Sequence, residues 1–460
     1  MRTSFLTCGL LFYLHAAWGF RLVRQERPGR PGNRATILSS TQATHNEAVR
    51  SRFYEALESI ELPEGVRVGV RRGLKFVPAV FQNQEGGGAG KDCEMNMSML
   101  LLDSPSPSFA AVFTRNAVCG HPVTIGKERL RESEKIRAVV VNNKVSNVGN
   151  RDGLGNSERL CEVLAEALPP AECEEERASP LDGPSPCLQP PAEADEIIPC
   201  STGVIGWELP IDEMVDAVPS LVESLSPSAQ PPPKFSDFAK GIMTSDNYPK
   251  AASREVDVGG GEKVLLCGAA KGAGMIEPNM ATMLAFVVTD ANLEREEMQT
   301  MLQKACDASF NCASVDSDQS TSDSLIFLSS RKKKIPGAGR EQVVVAVAKA
   351  LKEICVELAG HVVRNGEGVQ HVIEVNVEGC RDDEQARTVG KAVVNSPLFK
   401  AAVAGNDPNI GRLASAIGSA VGKMCASKES DGEKADAAAR AELEKMSIRI
   451  GDVSQFALLH

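Results

Sequence analysis

Short apolar runs cut by helix breakers restrict this chain more than any other feature. Between residues 66 and 145, apolar runs at 79–81, 99–102, 110–113 and 136–141 alternate with Gly, Pro and charged turns. That punctuation is a strand-rich pattern. Helical spacing follows at 157–168, through Leu160, Val163, Leu164 and Ala167, and again at 211–225. Beyond Thr282 strands and helices interleave. Asn292 is placed to cap a helix whose inner face carries Leu293, Met298, Leu302 and Ala305. Residues 345–358 predict a second long helix, and 372–377 and 448–450 predict strands. No internal repeat appears. Such an order implies an α/β body of the layered α+β kind, in two lobes.

Three stretches read as surface insertions or turns. Residues 169–196 are acidic and hold seven prolines, 226–234 are Pro-rich, and 331–340 join a basic run to Pro-Gly. Residues 86–92 contain Gly-Lys, but Asp92 stands where a phosphate loop needs Ser or Thr and Glu85 where it needs the first Gly, so they predict a hairpin tip. The thirteen cysteines are scattered, without a CxxC pair, and the six His form no HExxH. Reduced, buried thiols and no metal or other cofactor are expected.

Charge narrows the partners. The chain carries 50 Lys+Arg against 61 Asp+Glu, a net −11. Residues 1–45 hold six Arg and one Glu, which leaves −16 on the remainder. A body that acidic, with 4% aromatic residues, is a poor ligand for nucleic acid or an anionic membrane. The basic start reads as an address. An apolar run from Phe5 to Phe20 follows Arg2, with Ala16, Ala17 and Gly19 near its end, as in a signal peptide. Arg21, Arg24, Arg27, Arg30 and Arg34, then Ser39, Ser40, Thr41 and Thr44, have the grammar of a transit peptide. In series they resemble the bipartite presequence of algae whose plastids lie within a secretory-derived membrane. Residues 1–50 are therefore expected to be a targeting segment for the plastid stroma. The mitochondrial matrix and plain secretion are the alternatives.

The chemistry concentrates in Ala270-Lys271-Gly272-Ala273-Gly274-Met275-Ile276-Glu277-Pro278-Asn279-Met280-Ala281-Thr282-Met283-Leu284. Strands are predicted on either side, at 263–267 and 283–288, with a Gly-rich loop between. A Thr entering a strand is by itself an ordinary β-former. The whole stretch, however, closely resembles the signature of the ornithine acetyltransferase (glutamate N-acetyltransferase) family of arginine biosynthesis. Further blocks agree in order and spacing over roughly residues 66–455. They are Ser201-Thr202-Gly203-Val204-Ile205-Gly206 with Leu209-Pro210, Ser309-Phe310-Asn311, Val315-Asp316, Ser320-Thr321-Ser322-Asp323, Gly366-Glu367-Gly368, and Gly405-Asn406-Asp407-Pro408-Asn409 with Gly411-Arg412.

The resemblance implies a self-processing, two-lobed acyltransferase fold. Thr282 would attack the carbonyl of Ala281, shift the acyl group from nitrogen to oxygen, and gain a free α-amine on hydrolysis, giving chains 51–281 and 282–460. A Thr hydroxyl needs a base, and an α-amine of pKa about 7.7–8.0 is suited to neutral pH. The mature reaction implied is ping-pong: Thr282 takes acetyl from N-acetylornithine, and glutamate accepts it. Thr202 and Gly203 match the oxyanion stabilisers, each worth about 2.7–4 kcal/mol by analogy. Thr244, Lys271 and Glu367 match substrate ligands, Lys271 suited to a carboxylate and Glu367 to an ammonium. Acetyl-CoA is a second donor in some relatives, and the family assembles as a heterotetramer of two cleaved pairs. No membrane partner is implied after processing.

Departures exist. Asn247, Asn365 and residues 369–371 differ from the family pattern, and 142–147 are a degraded form of one block. Residues 446–460 resemble a strand after which the family continues for several tens of residues with two further substrate ligands, so a truncated C-terminus is expected. The rival readings are an amidohydrolase or aminopeptidase on the same scaffold, which more often carries Ser as nucleophile, and a non-catalytic remnant.

Overall fold

The computed structural model describes residues 20–24, 54–82, 92–171, 192–277, 283–337, 339–369, 371–444, 447–450 and 453–457. Its strands are β1 (Phe20–Arg24), β2 (Val66–Phe76), β3 (Cys93–Ser106), β4 (Phe109–Phe113), β5 (Ile136–Asn142), β6 (Ile197–Ser201) and β7 (Lys250–Gly259). They continue as β8 (Glu262–Lys271), β9 (Leu284–Ala291), β10 (Ser324–Lys333), β11 (Ile373–Val377), β12 (Ser447–Ile450) and β13 (Val453–Ala457). One sheet runs β2-β3-β5-β6, a second β4-β10-β9-β8-β7, and a third β11-β1-β12-β13. The pairs β5–β6 and β9–β10 are parallel.

The first two sheets face each other, and side-chain alternation explains why. On β9, Leu284, Phe286 and Val288 pack between the sheets, while Ala285 and Val287 face the other way. On β10, Ile326 and Leu328 point inward, Leu325 and Phe327 outward. On β5, Val139 and Val141 join the inter-sheet core, Ala138 and Val140 the outer one. Both faces of these strands are buried, so they read in sequence as unbroken apolar runs. Helices cover the outer faces. α1 (Arg295–Asp307) and α2 (Arg340–Arg364) lie on the second sheet, supplying Met298, Leu302, Leu351, Ile354 and Leu358. Residues of Gly153–Ala167, Ile211–Asp216 and Val218–Ser224 cover the first. The result is four layers, helix–sheet–sheet–helix. A separate core around Val375, Val389, Phe399, Leu413 and Ile417 holds the third sheet with its own helices, among them α3 (Asp383–Val394).

The layered α/β expectation holds, and several local expectations change. Residues 79–81 begin a one-turn helix, Ala79–Gln82, because Pro78 precedes them and its carbonyl accepts from the Phe81 amide at 2.8 Å. The helix expected over 211–225 is two, broken at Ala217. Pro219 has no N–H to continue the first but suits the opening turn of the second. Asn292 does not cap α1, because it lies two residues before the cap position; Glu294 occupies that position, its amide donating to the Glu297 carboxylate at 2.9 Å. The helix predicted over 345–358 extends through α2, since Val362 and Val363 also reach the core. Residues 331–333, expected in a turn, finish β10 after a register shift. Of the expected leader, only β1 is described, antiparallel to β11. Most of the hairpin tip (83–91) and of the acidic insertion (172–191) lies outside the described residues.

Candidate active site

The site is built where β8 hands the chain to β9. Their antiparallel register ends on Lys271 opposite Leu284, and the intervening segment leaves the sheet. Gly272 opens it at φ +147°, a conformation L side chains rarely adopt. Met275 is left-handed too, φ +58°, which a non-glycine residue tolerates only when held. Asp316 holds it, accepting from the Met275 amide at 2.6 Å and the Ile276 amide at 2.8 Å. Glu277 is gripped from two sides: Asn395 at the end of α3 and Ser314 donate to its carboxylate, and Lys391 on α3 stands 3.9 Å away. Residues 278–282, which include the expected cleavage pair Ala281 and Thr282, lie outside the described residues.

A cavity of about 480 Å³ opens beside this segment. Thr202, Gly203, Thr244, Lys271 and Glu367 all line it, as does Met283, the residue that follows Thr282. They come from the end of β6, a turn at 244–246, the end of β8 and the turn after α2. Lys271 Nζ donates to Thr202 Oγ1 at 2.8 Å. That leaves the hydroxyl proton of Thr202 to donate elsewhere, and an ammonium on the oxygen makes it a stronger donor. Gly203 sits at φ +135°, and a Cβ there would lie 2.1 Å from the carbonyl carbon of Lys144. Only glycine lets the two backbones cross, and the Val204 amide then bonds to Lys144 O at 2.8 Å. The Gly203 N–H has no protein acceptor among the described residues. Two adjacent donors on one wall suit an oxyanion.

Glu367 and Lys271 are both constrained. Glu367 accepts from Ser245 Oγ at 2.8 Å, and its amide donates to Ala273 O at 2.7 Å. A Cβ on Gly274 would come within 2.9 Å of the Glu367 carboxyl carbon, so that glycine admits the side chain. Burial pulls the Lys271 pKa below that of an ordinary lysine, against the opposing pull of Asp246. Asp246 shows the reverse balance. Burial would raise it, but the Lys250 and Lys271 charges and its hydrogen bonds hold it below the usual carboxylate range. Asp323, on the same cavity wall, is pushed well above that range by burial, which favours its neutral acid.

Asp246, Lys250 and Asp323 escaped the sequence reading as functional groups. Asp246 stands in the block that singled out Thr244, and Asp323 ends the 320–323 block, but nothing in their spacing says that these carboxyls turn inward. Arg412 and Asp407 do not line the cavity. Arg412 donates to Leu398 O at 2.8 Å, and Asp407 accepts from Asn409, so both serve local structure.

Chemically, the cavity brings together the Thr202 hydroxyl and Gly203, the lysines Lys144 and Lys271, and the carboxyls Asp323 and Glu367, with Met283 on its wall. Known proteins resemble this chain over most of its length. An arginine biosynthesis bifunctional protein ArgJ from Methylococcus capsulatus is 38% identical over 326 residues, covering 70% of this chain and 72% of that protein. One of the same name from Dehalococcoides mccartyi is 35% identical over 365 residues, 79% of each. The structure of ornithine acetyltransferase complexed with ornithine, from Mycobacterium tuberculosis, shares 23% identity over 49% of this chain and 97% of that one, with a TM-score of 0.32, too low to weigh. The ArgJ family model matches residues 85–435. On that match and on those relatives, the chain belongs to the ArgJ family.

Proposed function

We propose that this chain is a glutamate N-acetyltransferase that moves acetyl from N2-acetyl-L-ornithine to L-glutamate through an acetyl ester on Thr282, after cleaving its own Ala281–Thr282 bond. The observation that carries the reading is the Lys271–Thr202 hydrogen bond beside Gly203, in a cavity whose wall runs into Met283. In the first half-reaction the Thr282 oxygen adds to the acetyl carbonyl and the Thr282 amine takes its proton. Thr202 and Gly203 receive the oxyanion, the Thr282 ammonium returns its proton to the departing nitrogen, and ornithine leaves as the C–N bond breaks. Glutamate then reverses the steps on the ester. Lys271 supplies a cation for the α-carboxylate and Glu367 an anion for an ammonium. Acetyl-CoA is proposed as a second donor; the relatives' names describe them as bifunctional, without naming the second activity.

Full-length protein purified from bacteria is expected to run as two bands on a denaturing gel and to form N-acetylglutamate from N-acetylornithine. Thr282→Ala should abolish both. A single uncleaved band from the wild-type protein refutes the enzyme and favours a remnant. Release of acetate without transfer to glutamate favours the amidohydrolase reading. Running the assay with acetyl-CoA in place of N-acetylornithine tests the second donor. We also propose a heterotetramer of two cleaved pairs, to be checked by native mass.

A further inference from the structure

Asp246 stands behind the cavity wall with its side chain wholly out of solvent, and it uses both oxygens. Oδ1 accepts from the Gly272 amide at 2.8 Å and pairs with Lys250 Nζ; Oδ2 accepts from the Thr244 amide at 2.9 Å and from Thr244 Oγ1 at 3.4 Å. Lys250 is equally buried, its ammonium also touching Tyr248 O at 3.4 Å. A buried ion pair is a weak stability device, because apolar replacements of similar shape are often as stable. Its placement suggests another reason. The one carboxylate joins Thr244 to the backbone immediately after Lys271, and so joins two walls of the cavity. Lys271 in turn holds Thr202.

We propose that Asp246 and Lys250 are a positioning pair for the acyl-transfer site, Asp246 fixing Thr244 and the Gly272 backbone and keeping Lys271 as the ammonium that donates to Thr202, with Lys250 balancing the carboxylate. The assignment rests on the function proposed above for its kinetic consequence, not for its geometry. The charged or titratable groups facing Lys271 are Asp246, Lys250, Asp323 and Glu367. Asp246 favours the charged form of Lys271 and Lys250 opposes it. The two members of the pair therefore act on Lys271 with opposite signs, which packing alone does not produce.

Two variants of the full chain test this, Lys250→Met and the double variant Asp246→Asn/Lys250→Met, the latter leaving no unpaired buried charge. Competitive labelling of Lys271 with a small amine-reactive reagent across pH, read by peptide mass spectrometry, reports its protonation without needing activity. Lys250→Met is expected to move the Lys271 midpoint, and the alkaline limb of kcat for acetyl exchange, to higher pH. The double variant is expected to bring both back below the single variant and to lower kcat by about tenfold or more through misplacement. An unchanged Lys271 midpoint in the folded variants overturns the pair, as does wild-type kcat in the double variant. If the double variant does not fold, absence of the upward shift in Lys250→Met is enough to overturn it. A wild-type protein without exchange activity refutes the function instead, and the labelling still decides the pair.

Discussion

At the scale of residues, the site depends on contacts that allow little variation. Thr202 is the plainest case, since its hydroxyl receives Lys271 and is left to donate once. Thr202→Val should keep the fold and lower kcat for acetyl exchange by about 10²–10³, with a smaller change in KM, as expected for a donor used in the transition state. A larger change in KM than in kcat would make Thr202 a ground-state ligand. Gly203→Ala is harsher. Its methyl would meet the Lys144 backbone at 2.1 Å in a left-handed conformation, so the variant is expected to be recovered poorly or melt well below wild type. Which residue types matter was legible in the sequence wherever a block repeated a family pattern, hence Thr202, Gly203, Thr244, Lys271 and Glu367. Asp246 and Asp323 were not legible as working groups. A carboxylate's importance depends on what it is folded against: Asp246 takes the Gly272 amide from a distant segment, and Asp323 is buried on the cavity wall.

At the scale of elements, the strand carrying the site is anchored by its two faces. Phe286 lies two residues along β9 from the cavity wall, buried between the sheets, and meets Phe238 edge-on with ring centroids 5.3 Å apart. Phe286→Ala should cost about 3–5 kcal/mol, read as a lower denaturant midpoint with unchanged slope. A loss under about 1 kcal/mol would mean that the two sheets close over the gap. The strands of this region were predictable because their apolar runs are long enough to bury both faces. The missed elements have local causes. Pro78 starts a turn and Pro219 splits a helix, and in both the missing N–H or fixed φ outweighs the hydrophobic pattern. Asn292 has the right chemistry for a cap, but the helix begins at Arg295, so Glu294 and not Asn292 stands at the cap position.

At the scale of the whole molecule, charge and address are sequence properties, and a test of them needs no fold. Residues 1–50 fused to a fluorescent reporter are expected to direct it to the plastid in an alga with secretory-derived plastid membranes; diffuse extracellular or mitochondrial signal would reject that proposal. The sequence alone determined the layered α/β class and the acidic body, which follow from period and composition, and its resemblance to a family singled out the residues worth watching. Only the tertiary structure decided that the ends of β6 and β8 and the turns at 244–246 and 367 share one cavity. Register sets Lys271 opposite Leu284 in one sheet and β6 beside β5 in the other, and stacking of the two sheets brings Lys271 to Thr202. Contacts between residues far apart in the chain depend on how the layers stack, and no stretch of sequence short enough to show a pattern contains both partners.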